Sequence, residues 1–254
     1  MNRTTKMALA AVATTALVAS ARAQYNNGDL LLGFTTPSST GDLVFDLGSA
    51  ASIGVGSGLT LNLNDNGNLG LSASALSSQL TTLYGGLSGL SFGVVGGSYV
   101  NPTTGFTFGT VAHGDPAPTI SNVGALRSSV NTVGQTIGDG SGPTANSAIA
   151  NPNDGYGWSW TETINRDATG TWSRNGTNPN SQTPAGFTGS FMEDLYMYDL
   201  HTGTESFVGT ISLASDGNVV FAAASVPEPS TISLLAGFGL LLFAFRRHSL
   251  CKSV

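Results

Sequence analysis

Residues able to do chemistry are few in this chain and widely spread. "GLSFG" at 89–93 fits the G-x-S-x-G pattern, in which a strained turn lifts a serine out as a nucleophile. Ser91 would be that nucleophile, and His201 follows several aspartates in the chain order such a hydrolase uses. The pattern needs a strand, a sharp turn and then a helix, whereas "VVGGSYV" reads as further strand. A serine hydrolase at Ser91 is therefore the disfavoured alternative, and the chain is expected not to be an enzyme. "AHGDP" could bring His113 and Asp115 together at a loop, but one such pair builds neither a zinc site nor a triad. Neither His113 nor His201 stands in an H-x-x-x-H or comparable spacing, so no metal or cofactor is expected.

Two other stretches could hold ligands. "NLNDNGN" at 62–68 presents side-chain oxygens at Asn62, Asn64 and Asn66 before Gly67, as calcium loops do. It starts with Asn, and its twelfth position is Ala73 where a bidentate Glu belongs, so a hairpin turn is the simpler expectation. "GYGWSWTETI" at 155–164 is more suggestive. At strand period Tyr156, Trp158, Trp160 and Glu162 share a side, and such a row can stack on sugar rings, with Trp172 as a further candidate. The competing expectation is that the row is the core face of a half-buried strand. A carbohydrate-binding module using Tyr156, Trp158 and Trp160 is thus the alternative function.

The elements that must position these residues are mostly strands. "DLLLGF" (29–34) and "DLVFDL" (42–47) flank "TTPSSTG" as a hairpin, and "LTLNLN" (59–64) alternates before the turn "DNGN". "LSFGVV" (90–95) and "FTFGTVA" (106–112) read as strands, and "LYMYDL" (195–200), "SFVGTISL" (206–213) and "NVVFAA" (218–223) as a closing meander. Two segments have helical period. Leu76, Leu80 and Leu83 share a face between Ser72 as N-cap and Gly85 as stop. Val123, Leu126, Val130, Val133 and Ile137 do so between Asn122 and Gly138. The Asn/Gly/Pro-rich region 138–190 offers only one aromatic strand. The fold class expected is mainly β, a single antiparallel β-rich domain at 24–225 with two amphipathic helices.

Charge narrows the partners. Between residues 24 and 226 three arginines stand against fourteen acids, a net −11. That field repels nucleic acid and anionic headgroups and leaves divalent cations or neutral sugars as better candidates. The single cysteine, Cys251, lies beyond this span, so no disulfide or thiolate can form within it.

Both ends read as addresses. Arg3 and Lys6 precede the apolar "MALAAVATTALVAS", and Ala21-Arg22-Ala23 supplies an A-x-A cleavage pattern before Gln24, so residues 1–23 are expected to be a signal peptide. At the other end Pro227-Glu228-Pro229 precedes "TISLLAGFGLLLFAF" at 231–245, then Arg246 and Arg247. Fifteen uncharged residues as a helix cover about 22 Å, short of a ~30 Å hydrocarbon core unless snorkelling arginines extend it. Arg246 and Arg247 act as a membrane stop and keep the C-terminus cytoplasmic.

This three-part ending, residues 226–254, resembles the PEP-CTERM sorting signal of Gram-negative exopolysaccharide producers. The first strand and the closing meander are, more loosely, similar to ectodomains that carry such tails. The resemblance implies handling by an exosortase, a membrane-embedded enzyme resembling cysteine transpeptidases that cuts near the motif. Pro227, Glu228 and Pro229 would then be recognition residues for another enzyme. It also implies an exported protein, held first in the inner membrane by the transmembrane helix 231–245 and later at the cell surface or in the extracellular matrix. Its partners would be the export machinery, exosortase and, as a candidate, exopolysaccharide.

Ala23→Arg is expected to leave an uncut precursor still carrying residues 1–23, because the cleavage site needs small residues. Normal N-terminal processing of that variant, read by intact mass, would contradict the leader assignment.

Overall fold

The structure, a computed structural model, describes residues 25–36, 41–97, 105–115, 117, 119–120, 130–150, 171–172 and 190–224. Residues 1–23, expected to be a signal peptide, the aromatic row 155–164 and residues 226–254 lie outside these residues. Nine strands form one antiparallel sheet: β1 (Leu30–Thr35), β2 (Asp42–Gly48), β3 (Thr60–Asn62), β4 (Ser91–Gly97), β5 (Phe106–Ala112), β7 (Ser147–Ala150), β9 (Ser190–Asp199), β10 (Thr204–Ala214) and β11 (Val219–Ala223). Their spatial order is β3-β11-β10-β9-β5-β4-β1-β2-β7. Two-residue strands β6 (Thr119–Ile120) and β8 (Thr171–Trp172) pair in parallel. Helix α1 spans Ala73–Tyr84, and residues 130–135 are helical, here α2.

Alternation decides which face is which. Leu30, Leu32 and Phe34 of β1 line the inner face with Leu43, Phe45 and Leu47 of β2 and Phe92 and Val94 of β4. Leu195, Val208, Ile211, Leu213, Val219 and Phe221 extend this core across the closing meander. Rings interlock within it: Phe34 meets Phe45 edge-on and stacks on Phe92, both at 6.2 Å between centroids. The outer face carries a smaller apolar patch, where Leu31, Val44 and Val95 meet Val130, Val133 and Ile137 around α2. Both strands and helices therefore bury the faces their periodicity marks.

Helix α1 begins and ends as its sequence dictates. The Ser72 side chain accepts from Ala75 N–H, and Gly85 closes the helix in the left-handed region at φ 76°. Leu76 and Leu80 are buried against the inner core. Its first turn packs on the β10–β11 turn, where a Cβ at Gly217 would stand 2.2 Å from the Ala73 carbonyl. At its far end the Tyr84 hydroxyl accepts from Leu43 N–H and donates to the Phe34 carbonyl, each at 2.8 Å. The helix so clamps the β1–β2 turn to the meander.

Two elements depart from the sequence reading. β3 covers only Thr60–Asn62 and stops short of Asn64, because Asn62 Oδ1 accepts from the Asn64 and Asp65 amides and folds the chain into a turn; Leu59, before the strand, is 68% exposed. β7 falls in the 138–190 region, its Ser-Ala-Ile-Ala sequence lacking the β-branched or aromatic bias that announces strands. Residues 122–129 of the second helical stretch lie outside the described residues, so α2 is seen only from 130.

The loop after β3 joins the two edges of the sheet. Asn64, 6% exposed, accepts from Val219 N–H at 2.7 Å and donates to the Leu71 and Gly217 carbonyls. Four residues on, Asn68 donates to the Leu47 carbonyl at 3.1 Å. Asn146, just before edge strand β7, donates to the Asn68 carbonyl, and the Thr144 hydroxyl donates within the same knot to Asn146 Oδ1 at 2.6 Å. The 63–71 loop thus ties β11 to β2 and β7, and the nine strands curl around a single inner core.

Asn64→Ala is expected to lower unfolding free energy by about 1–3 kcal/mol, because it orphans a buried amide and two carbonyls. Asn66→Ala, whose exposed side chain reaches only Asn68, should change it by less than about 0.5 kcal/mol. Equal urea midpoints for the two variants would contradict the closure.

Candidate functional site

Ser91 is the first residue of β4, stands opposite Thr35 and is 8% exposed. From Ser91 the chain continues as strand to Gly97, so the sharp strand-to-helix turn a nucleophile elbow requires at the serine is not formed. His201 sits in the β9–β10 turn, where its amide donates to Asp199 Oδ1 at 2.8 Å. Gly97 pairs with Thr107 and Phe106 with Asp199, which places His201 at the Gly97 end of β4. Ser91 lies six residues away along that strand, about 20 Å. The two do not form a site.

His113 finds a different carboxylate from the one its local sequence offers. Its Nδ1 lies 2.8 Å from Asp194 Oδ1, across the β5–β9 pairing, and not against neighbouring Asp115. Asp194 Oδ2 accepts from Gly114 N–H at 3.0 Å, and Oδ1 also accepts from the Thr210 hydroxyl at 3.1 Å. Burial pushes this carboxyl up, but the Gly114 amide, His113 and Thr210 outweigh it and hold the group below the ordinary aspartate range. Asp194 therefore stays charged and fixes the imidazole. Among the described residues no hydroxyl hydrogen-bonds to the other ring nitrogen of His113. The pair orients a half-exposed histidine at the sheet surface without completing a triad.

Asn62, Asn64 and Asn68 of the 62–68 loop spend their side-chain oxygens on the protein itself. Asn62 Oδ1 serves two amides, Asn64 Oδ1 serves Val219, and Asn62 Nδ2 donates to Asp65 Oδ2. Among the described residues no group of three His, Cys, Asp or Glu side chains could hold a metal. Tyr156, Trp158 and Trp160 lie outside the described residues, and Trp172 is placed by its backbone alone, opposite Ile120.

A second polar cluster lies beside α2 and has one legible trace in the sequence: Asp42 and Asp46 alternate with Leu43, Phe45 and Leu47 and so share Val44's outer face. Asp46 accepts from Gly48 N–H at 2.7 Å, and Asp29 Oδ2 accepts from Asn26 N–H at 2.9 Å. Burial pushes the Asp46 carboxyl up to about 6, the Gly48 amide opposing and the Asp29 charge adding. Burial, then Asp29, push the Tyr25 phenol up to about 12. Its ring lies where a Cβ on Gly134 would stand at 2.6 Å, so only glycine admits it against α2.

Because folded Asp46 ionises at about 6 rather than 3.8, its contribution is favourable below about pH 4 and is lost as pH rises through about 6. Asp46→Asn keeps the acceptor for Gly48 and removes the charge. The expected outcome is a melting temperature a few degrees higher at pH 7 and unchanged at pH 4; no gain at pH 7 would contradict it.

No helix among the described residues is long and apolar enough to cross a membrane. Neither a curated protein nor a solved structure matches the chain. Residues 225–247 match the family model described as the PEP-CTERM protein-sorting motif. The segment that opens with Pro227-Glu228-Pro229 and closes with Arg246 and Arg247 is therefore a PEP-CTERM sorting motif, and it marks the chain as an exported, exosortase-targeted protein.

Proposed function

We propose that this is a non-enzymatic cell-surface or extracellular-matrix protein of an exopolysaccharide-producing bacterium, released from its membrane tail by exosortase. The observation that carries the reading is the tail. Pro227 and Pro229 are residues that disfavour helix, and a Pro-Glu-Pro sequence of this kind suits an extended segment that a processing enzyme can bind. Arg246 and Arg247 resist crossing the membrane and hold the precursor in place for the cut. The net −11 of residues 24–226 suits a surface domain that must stay soluble once released.

Replacing Pro227-Glu228-Pro229 with three alanines is expected to leave export intact and to hold an uncut form in the inner membrane. Release of that variant at the native level, measured by fractionation, would overturn the proposal.

A further inference from the structure

The closing meander contains an irregularity that works against its own core. In β10, Leu213, Ile211 and Gly209 face inward, so strict alternation would send Phe207 inward as well. The register instead shifts between Phe207 and Gly209. Val208 takes the inward place and is buried, while Phe207 turns to the outer face, 46% exposed. Gly209 makes this possible at φ 155°, where a Cβ would meet the Ala222 carbonyl at 2.5 Å and the Phe221 ring at 2.7 Å. The bulge therefore exchanges burial of a phenylalanine for burial of the smaller Val208. Bulges that re-aim a side chain are concentrated beside binding sites.

What Phe207 joins on the outer face is a row of the same kind. Tyr196 stands directly opposite, its ring edge-on to Phe207 at 5.7 Å between centroids. Two residues along β9, Tyr198 lies opposite Glu205, and two residues the other way lies Asp194 with its fixed His113. On the neighbouring strand the position facing Tyr196 is Gly109, which has no side chain to cover the ring. The position facing Tyr198 is Thr107, whose buried Oγ1 has no hydrogen-bond partner among the described residues. From Asp194 to Tyr198 the row runs about 13 Å. It combines flat apolar rings with acceptors at both ends, and no lysine or arginine occurs among the described residues.

From this we infer that the outer face of β5–β9–β10 binds a polysaccharide whose sugar rings carry no carboxylate, stacking them on Tyr196, Phe207 and Tyr198 with hydroxyls on Glu205 and His113. The charge selects this occupant. A second copy of a domain of net −11 is repelled, as is a uronate polymer, whereas neutral or amino sugars meet only favourable acceptors. The inference rests on the surface-protein reading and gives it a ligand class. It concerns residues other than Tyr156, Trp158 and Trp160, which lie outside the described residues.

The test uses the protein as released from its native host, titrated calorimetrically with cellohexaose, chitosan oligomers and oligogalacturonate. Binding of the first or second but not the third is expected, weakened about tenfold or more by Phe207→Ala and retained by Tyr196→Phe. Phe207→Ser, polar at an already exposed position, controls for folding, with an unchanged circular dichroism spectrum and the same loss of binding expected. Equal binding of oligogalacturonate, or undiminished binding by both Phe207 variants, would overturn the inference. Correctly released protein that binds none of the three would overturn it too, while leaving the surface-protein reading standing.

Discussion

The fold depends on a knot of side-chain amides between the two edges of its sheet. With its one cysteine at Cys251, the exported span has no covalent tie, so the nine-stranded sheet must be closed by hydrogen bonds. Asn64 holds the β10–β11 turn, while Asn68 and Asn146 hold β2 and β7, and all belong to or grip the one loop. Closing the curl gives the inner core its boundary and α1 its seat between the β1–β2 turn and the meander. Buried amides with several partners suit this work, since each partner left unsatisfied would cost about as much as a lost core contact.

What could be read in the sequence was whatever local chemistry decides. The Ser72 cap, the leucine spacing and the Gly85 stop define α1 within fourteen residues, and the structure follows them. The meander was legible because alternating segments meet at "HTGT" and "SDGN" turns. The closure was not, because Asn64 reaches Val219 across 155 positions and Asn146 reaches Asn68 across 78. Asparagines in "NLNDNGN" look like turn formers or cation ligands, and nothing nearby reveals that Asn64 is buried. His113 is the same case, since its carboxylate lies 81 positions away. The bulge at Phe207–Gly209 was illegible for another reason: "SFVGTISL" alternates acceptably in either register, and only its pairing with β9 shows which phase it takes.

Those nonlocal features also gather the polar and aromatic side chains on one outer surface. The same β9 segment sends Leu195 into the core and Asp194, Tyr196 and Tyr198 outward, so a rigid strand positions them. The tail works separately, through a short apolar run and its flanking prolines and arginines. Delivery is thus written in local sequence, and the delivered surface in tertiary structure.

On the proposed function, the tail is removed to release the domain. Intact-mass measurement of the protein recovered from the native cell surface tests it most directly. The expected product is a chain ending near residue 227, without Arg246, Arg247 and Cys251. A mass that includes residues 231–254 would contradict it and make the tail a permanent anchor.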